Sequence, residues 1–142
     1  MSVNLGERFA RALAAKDRDA LHALLDPRID FRALTPGRPW EATAAAEVVD
    51  EIMLGRWFEP GDHIESLVQV TTGSMGDREH VAYRFRIRNG TVRYLVEQQA
   101  YYVADGEQIT WLRVLCSGFR PVPADADADA DTDVDAGDPA RP

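Results

Sequence analysis

Two turn dipeptides, Asn89-Gly90 and Asp105-Gly106, divide the second half of this chain into three long runs rich in β-branched and aromatic residues. No other feature restricts the fold as much. Two-residue Asn-Gly and Asp-Gly loops suit the mirror-image turns that match the twist of paired strands, so each dipeptide predicts a β-hairpin. In the run before the first turn, Val81, Tyr83, Phe85 and Ile87 alternate with His80, Ala82, Arg84, Arg86 and Arg88. That is the period of a strand with one covered face. His63 to Thr71 (HIESLVQVT) predicts a further strand, which makes a four-strand meander.

The first half reads as helices. Asn4 is placed to cap a helix, Glu7 completes a capping-box-like pair, and Leu5, Phe9, Ala12 and Leu13 recur at helical spacing. A second helix from about Asp17 carries Leu21, Leu24 and Leu25 on one face and ends at Asp26-Pro27, because proline disfavours helix in the residue before it. Arg28 to Leu34 alternates as a short strand, and Thr35 to Pro39 reads as a loop. A third helix is predicted from Thr43 to about Leu54, with Val48, Val49, Ile52 and Met53 inward and Gly55 as its stop. Helices followed by strands predict an α+β fold, with helices packed on one face of an antiparallel sheet.

Charge sets the limits on function. The chain has 142 residues and a net charge of −8, of which −6 falls after Arg120, where seven Asp accompany one Arg. The remaining −2 is spread over the folded part, so neither segment offers the basic surface that nucleic acid needs. The reading is therefore a domain over 1–122 and an acidic disordered tail over 123–142. One cysteine, Cys116, permits no internal disulfide. Neither a signal peptide nor a bilayer-long apolar run is visible, so a cytoplasmic protein without membrane contact is expected. His22, His63 and His80 fall on a helix and two strands with no metal-ligand spacing, so no metal site is expected.

The order of elements, and above all the run NGTVRYLVEQQAYYVADGEQITWLRV, resembles the nuclear transport factor 2-like superfamily, in its SnoaL-like and ketosteroid isomerase-like branches. The resemblance covers about Leu5 to Val122. It implies a curved antiparallel sheet wrapped around N-terminal helices, a cone-shaped α+β barrel with one deep pocket, often in a homodimer. It does not imply steroid isomerisation. The family's helix-1 tyrosine corresponds to Phe9 and its general-base aspartate falls near Arg32. Only Gln99, where the family has the protonated aspartate of its oxyanion hole, keeps a hydrogen-bond donor.

Which face of the sheet lines the hollow decides the site. Turns centred on the two dipeptides set Glu97 between Ala82 and Val114, with His80, Arg84, Gln99, Tyr101, Leu112 and Cys116 on the same face. Val81, Tyr83, Phe85, Val96, Gln98, Ala100 and Tyr102 occupy the other. Apolar content makes the second face the core side, whereas the resemblance, through Gln99, turns the first into the hollow. Following the resemblance, Glu97 is the candidate general base. Arg84, Gln99, Tyr101, Cys116, Arg32 and Trp40 are the candidate substrate contacts. A structural Glu97–Arg84 ion pair is the competing reading. Cys116 has no histidine within reach and reads more simply as a small buried hydrophobe.

Two functions remain open. One is a cofactor-independent acid–base enzyme (isomerase, cyclase, dehydratase or hydrolase) acting on a small apolar substrate. The other is a non-catalytic dimeric module that binds a small ligand or a protein.

Overall fold

The structure, a computed structural model, describes residues 4–123. The acidic stretch from residue 124 on lies outside the described residues. Helix α1 (Leu5–Ala14) begins as expected, with Asn4 Oδ1 accepting the Glu7 N–H at 3.2 Å. The Glu7 carboxylate, however, turns to Arg11 one turn on, at 2.7 Å, instead of back to the cap. Helix α2 (Arg18–Leu24) is capped by Asp17, which accepts from the Ala20 N–H at 3.0 Å. Phe9, Leu13, Leu21 and Leu25 are fully buried.

The chain runs without a break from α2 into β1 (Leu25–Thr35), so the strand begins earlier than expected and Pro27 lies within it. The region read as a loop holds a tight turn at Pro36-Gly37 and then β2 (Arg38–Ala42), which pairs antiparallel with β1. Helix α3 spans Glu47–Trp57 and is wound as a π-helix, with the Phe58 N–H bonded to Met53 O five residues back. Val48, Val49, Ile52 and Met53 are its buried side, as expected, but the helix passes through Gly55. A side chain there would place its Cβ 2.7 Å from Asp50 O, so the wide turn admits only glycine without a shift.

The meander follows: β3 (His63–Met75), β4 (Arg78–Asn89), β5 (Val92–Asp105) and β6 (Gln108–Cys116), with a short β7 (Arg120–Pro121) against β5. The spatial order is β2-β1-β6-β5-β4-β3, antiparallel except for β1 on β6. The sheet is therefore mixed, not wholly antiparallel. Three helices lie with a seven-stranded curved sheet, as the α+β reading predicted.

Two register details alter the map of faces. Asn89 pairs with Val92 and Asp105 with Gln108, so each glycine opens its loop, with φ of 63° at Gly90 and 65° at Gly106. Each pairing slides by two residues, which changes partners and leaves faces alone. Glu97 stands opposite Arg84, not Ala82. Then Thr110 forms a bulge: Ala104 pairs with Ile109 and Val103 with Trp111. The extra residue turns Leu112, Val114 and Cys116 onto the opposite face from Glu97.

Burial overturns the expectation about which face lines the hollow. Val81, Tyr83, Phe85, Ile87, Val96, Gln98 and Ala100 are at most 1% exposed and face the helices. Their neighbours on the other side, Glu97 and Gln99 among them, form the outer surface of the sheet. Aromatic packing explains the outcome. Phe9 meets Tyr83 at 6.2 Å, Tyr83 meets Phe85 at 5.2 Å and Phe85 meets Phe58 at 5.5 Å. Each buried ring stabilises the fold by roughly 1.5–3 kcal/mol, more than the polar outer face can offer.

Candidate functional site

Tyr83, Gln98 and Cys116 form one row across β4, β5 and β6 on the concave side. They meet because β4 and β5 pair residue for residue there, and the Thr110 bulge delivers Cys116 to the same face. The Tyr83 hydroxyl donates to Gln98 Oε1 at 2.6 Å. Gln98 is 1% exposed, and its Nε2 has no hydrogen-bond partner among the described residues. An orphaned buried amide is costly, on the order of 1–3 kcal/mol, and native folds rarely keep one without something that accepts from it.

The thiol is what that amide meets. Cys116 stands directly opposite Gln98, and its Sγ already accepts the Gly118 N–H at 3.3 Å. Burial pushes the Cys116 thiol up, while the Gln98 amide and the Gly118 N–H pull it the other way. A neutral thiol is a weak acceptor, so it leaves the Gln98 amide unsatisfied. Burial also raises Tyr83 well above the usual tyrosine value, with the Cys116 charge as a lesser cause. The row therefore presents donors in their neutral forms.

A second orphan comes from α3. The Trp57 indole Nε1 is buried with no partner among the described residues, and its ring packs on Phe31 at 6.0 Å and edge-on to Trp40 at 6.1 Å. Trp40 pairs with Ala33 on β1, donates to Thr35 Oγ1 at 2.8 Å and carries the Arg38 guanidinium 3.7 Å above its ring. Of the seven residues proposed from the sequence, Cys116 and Trp40 thus belong to the concave side.

The other five lie on the outer face. Glu97 Oε2 is 3.5 Å from Arg84 Nε, and the glutamate side chain is 40% exposed. Gln99 Oε1 lies 3.0 Å from His80 Nε2, and the His80 ring stacks at 4.7 Å on Tyr101. Arg84, Glu97, Gln99 and His80 line an open cleft of about 230 Å³. Arg32, Tyr101, Leu34 and Leu115 border another of about 280 Å³. Glu97 thus faces away from the helices, contrary to the expectation for a base inside a hollow. The physical reason is the alternation itself, since Val96, Gln98 and Ala100 claim the core.

Sequence reasoning missed Gln98 and Trp57 as the unpartnered groups. The signal for Gln98 was present, because it alternates with Val96, Ala100 and Tyr102 in a row that is otherwise apolar. Among the described residues the buried polar or charged ones are Gln98 and Asp62, and Asp62 accepts from the Glu59 N–H at 3.1 Å and from Asn89 Nδ2 at 2.8 Å, which commits it to the loop. Among the described residues no cluster of His, Cys, Asp and Glu could hold a metal ion, and no helix is long and apolar enough to cross a membrane.

Comparison with solved structures identifies the architecture. An epoxide hydrolase of the LEH-like type from M. tuberculosis is similar at 17% identity, with 80% of each chain covered and a TM-score of 0.58. A hypothetical protein with a ketosteroid isomerase-like fold from Catenulispora acidiphila, solved with trimethylamine, is similar at 13% identity (82% of this chain, 88% of that one, TM-score 0.58). An NTF2-like protein of unknown function from Mesorhizobium loti is similar at 18% identity (80% and 88%, TM-score 0.56). This chain has the nuclear transport factor 2-like fold. No protein-family model matches the sequence, and a search of curated proteins finds no match.

Proposed function

We propose that this protein binds a small, uncharged and largely apolar molecule on the concave side of its sheet, and that an acceptor oxygen on the ligand takes the Gln98 amide. The observation that carries the reading is the fully buried Gln98 Nε2 with no acceptor among the described residues. The Trp57 N–H is a second donor of the same kind. Neutral donors in an aromatic surround suit a carbonyl or ether oxygen and penalise a cation. Solved neighbours that include an epoxide hydrolase and a trimethylamine complex support a hollow that takes small molecules.

The reading is one of binding, not carboxylate catalysis. Gln99 and Tyr101 belong, on this proposal, to a contact between two copies of the chain. In its favour, Leu34 and Leu115 are neighbours across β1 and β6 and stand 50% and 54% exposed on that face. Native mass spectrometry of the purified chain and of Gln98→Leu tests both parts. The expected result is a dimer carrying a small copurified mass that the variant lacks. A ligand retained by Gln98→Leu would refute the site, and a strictly monomeric protein would refute the assembly.

A further inference from the structure

The outer face carries a second feature, independent of what the hollow binds. Arg84, Arg86 and Arg88 alternate along β4, and Arg93 of β5 and Arg120 of β7 join them, because Arg88 pairs with Arg93 and Leu95 with both Arg86 and Arg120. Five guanidiniums thus share one end of the face. Among the described residues, Glu65 is paired with them at 3.0 Å from Arg88 and 3.5 Å from Arg93, and Glu97 stands beside Arg84. On β3 the positions opposite Arg84 and Arg86 are neutral, Gln69 and Ser66. This is a local positive surface on a chain whose net charge is −8.

The chain's own sequence supplies the complement. Asp occupies every second position from 125 to 135, and again 138. The last described residues run beside β5, with the Val122 N–H donating to Arg93 O at 2.9 Å, so the acidic segment starts at the edge of the arginine stripe. Reach is ample. Arg93 and Glu97 are separated by four strand residues, about 13 Å. The residues from 124 to 138 can span up to about 50 Å. In an extended chain, alternate side chains repeat at about 6.7 Å, which is also the spacing of the alternate arginines along β4.

We propose that the arginine-bearing end of the outer face is the docking surface for the chain's own acidic segment, residues 125–138. Each contact is a partly exposed ion pair, so the association rests on the number of charges brought together and weakens with salt.

A spin label attached at Ala130→Cys in a Cys116→Ser background of the full chain tests this by NMR. At low ionic strength the amides of residues 84–95 are expected to lose most of their intensity while α1 and α2 keep theirs. At 1 M salt, where the Debye length is about 3 Å, the loss should vanish. A mixture of labelled, isotope-free protein with unlabelled ¹⁵N protein separates docking within one chain from docking onto a second copy; broadening of residues 84–95 of the ¹⁵N protein in that mixture as strong as in the labelled chain itself would overturn the proposal. So would the absence of broadening in the labelled chain, or broadening that persists at high salt. A second measurement avoids the Cys116 change: replacing all seven Asp after Arg120 by Asn should shift the Nε–Hε signals of Arg84, Arg86, Arg93 and Arg120, and unmoved signals would sink the idea.

Discussion

Tyr83 donates its hydroxyl to Gln98 Oε1 at 2.6 Å across β4 and β5, with both residues at most 1% exposed. That single bond satisfies the oxygen of the amide and leaves its nitrogen facing Cys116. The two side chains therefore act as a unit, and their substitutions should not add.

Tyr83→Phe alone leaves the Gln98 amide with no partner, and Gln98→Leu alone orphans the Tyr83 hydroxyl. Each should cost about 1–3 kcal/mol. The double variant removes both polar groups and should lie within about 1 kcal/mol of the parent. Urea unfolding of the four proteins measures the coupling, and additive losses would contradict it.

Stability should fall with rising pH in the alkaline range. Burial raises the pKa of Tyr83 above its usual 10.0 and that of Cys116 above its usual 9.0, so the folded state holds these protons more tightly than the unfolded chain. The stability they contribute is complete below the unfolded values and is lost as pH climbs from there toward the folded ones. Tyr83→Phe removes the largest share. Its unfolding free energy should therefore decline less steeply above pH 10 than that of the parent, measured by denaturant titration at fixed pH steps.

Glu97→Gln should change stability by less than about 1 kcal/mol, because its partner Arg84 is 3.5 Å away and the glutamate end of the pair is 40% exposed. It should leave any ligand bound on the concave side in place. A loss of the copurified mass in this variant would return Glu97 to the site.

Gly6→Ala tests the seat of α1 on the sheet. A Cβ at position 6 would lie 2.9 Å from both Tyr102 Oη and Val81 Cβ. Although alanine is the better helix former, overpacking against β4 and β5 should cost about 1–3 kcal/mol. A thermal melt above that of the parent would show that the helix can lift away freely.

The order of residues along the chain was enough to set the alternation. Period-two runs and turn glycines fix where strands run and which residues share a side, since a strand has only two faces. They sorted Glu97 with Gln99 and Gln98 with Ala100, and helical spacing picked out Phe9, Leu13, Val48 and Met53 as core. Apolar content marked the Gln98 side as the core side, whereas the resemblance pointed to the Gln99 side. Packing settled it: Phe9 meets Tyr83 and Phe58 meets Phe85 on the Gln98 side, so the apolar side closed inward and carried Gln98 with it. Two further outcomes were tertiary. The bulge at Thr110 moved Cys116 across the sheet, because one extra residue reverses every side chain beyond it. The π-winding of α3, permitted by Gly55 against Asp50 O, set the end of the helix where Trp57 packs between Phe31 and Trp40. Neither leaves a mark in hydrophobic periodicity, since both depend on what the neighbouring element offers as a partner.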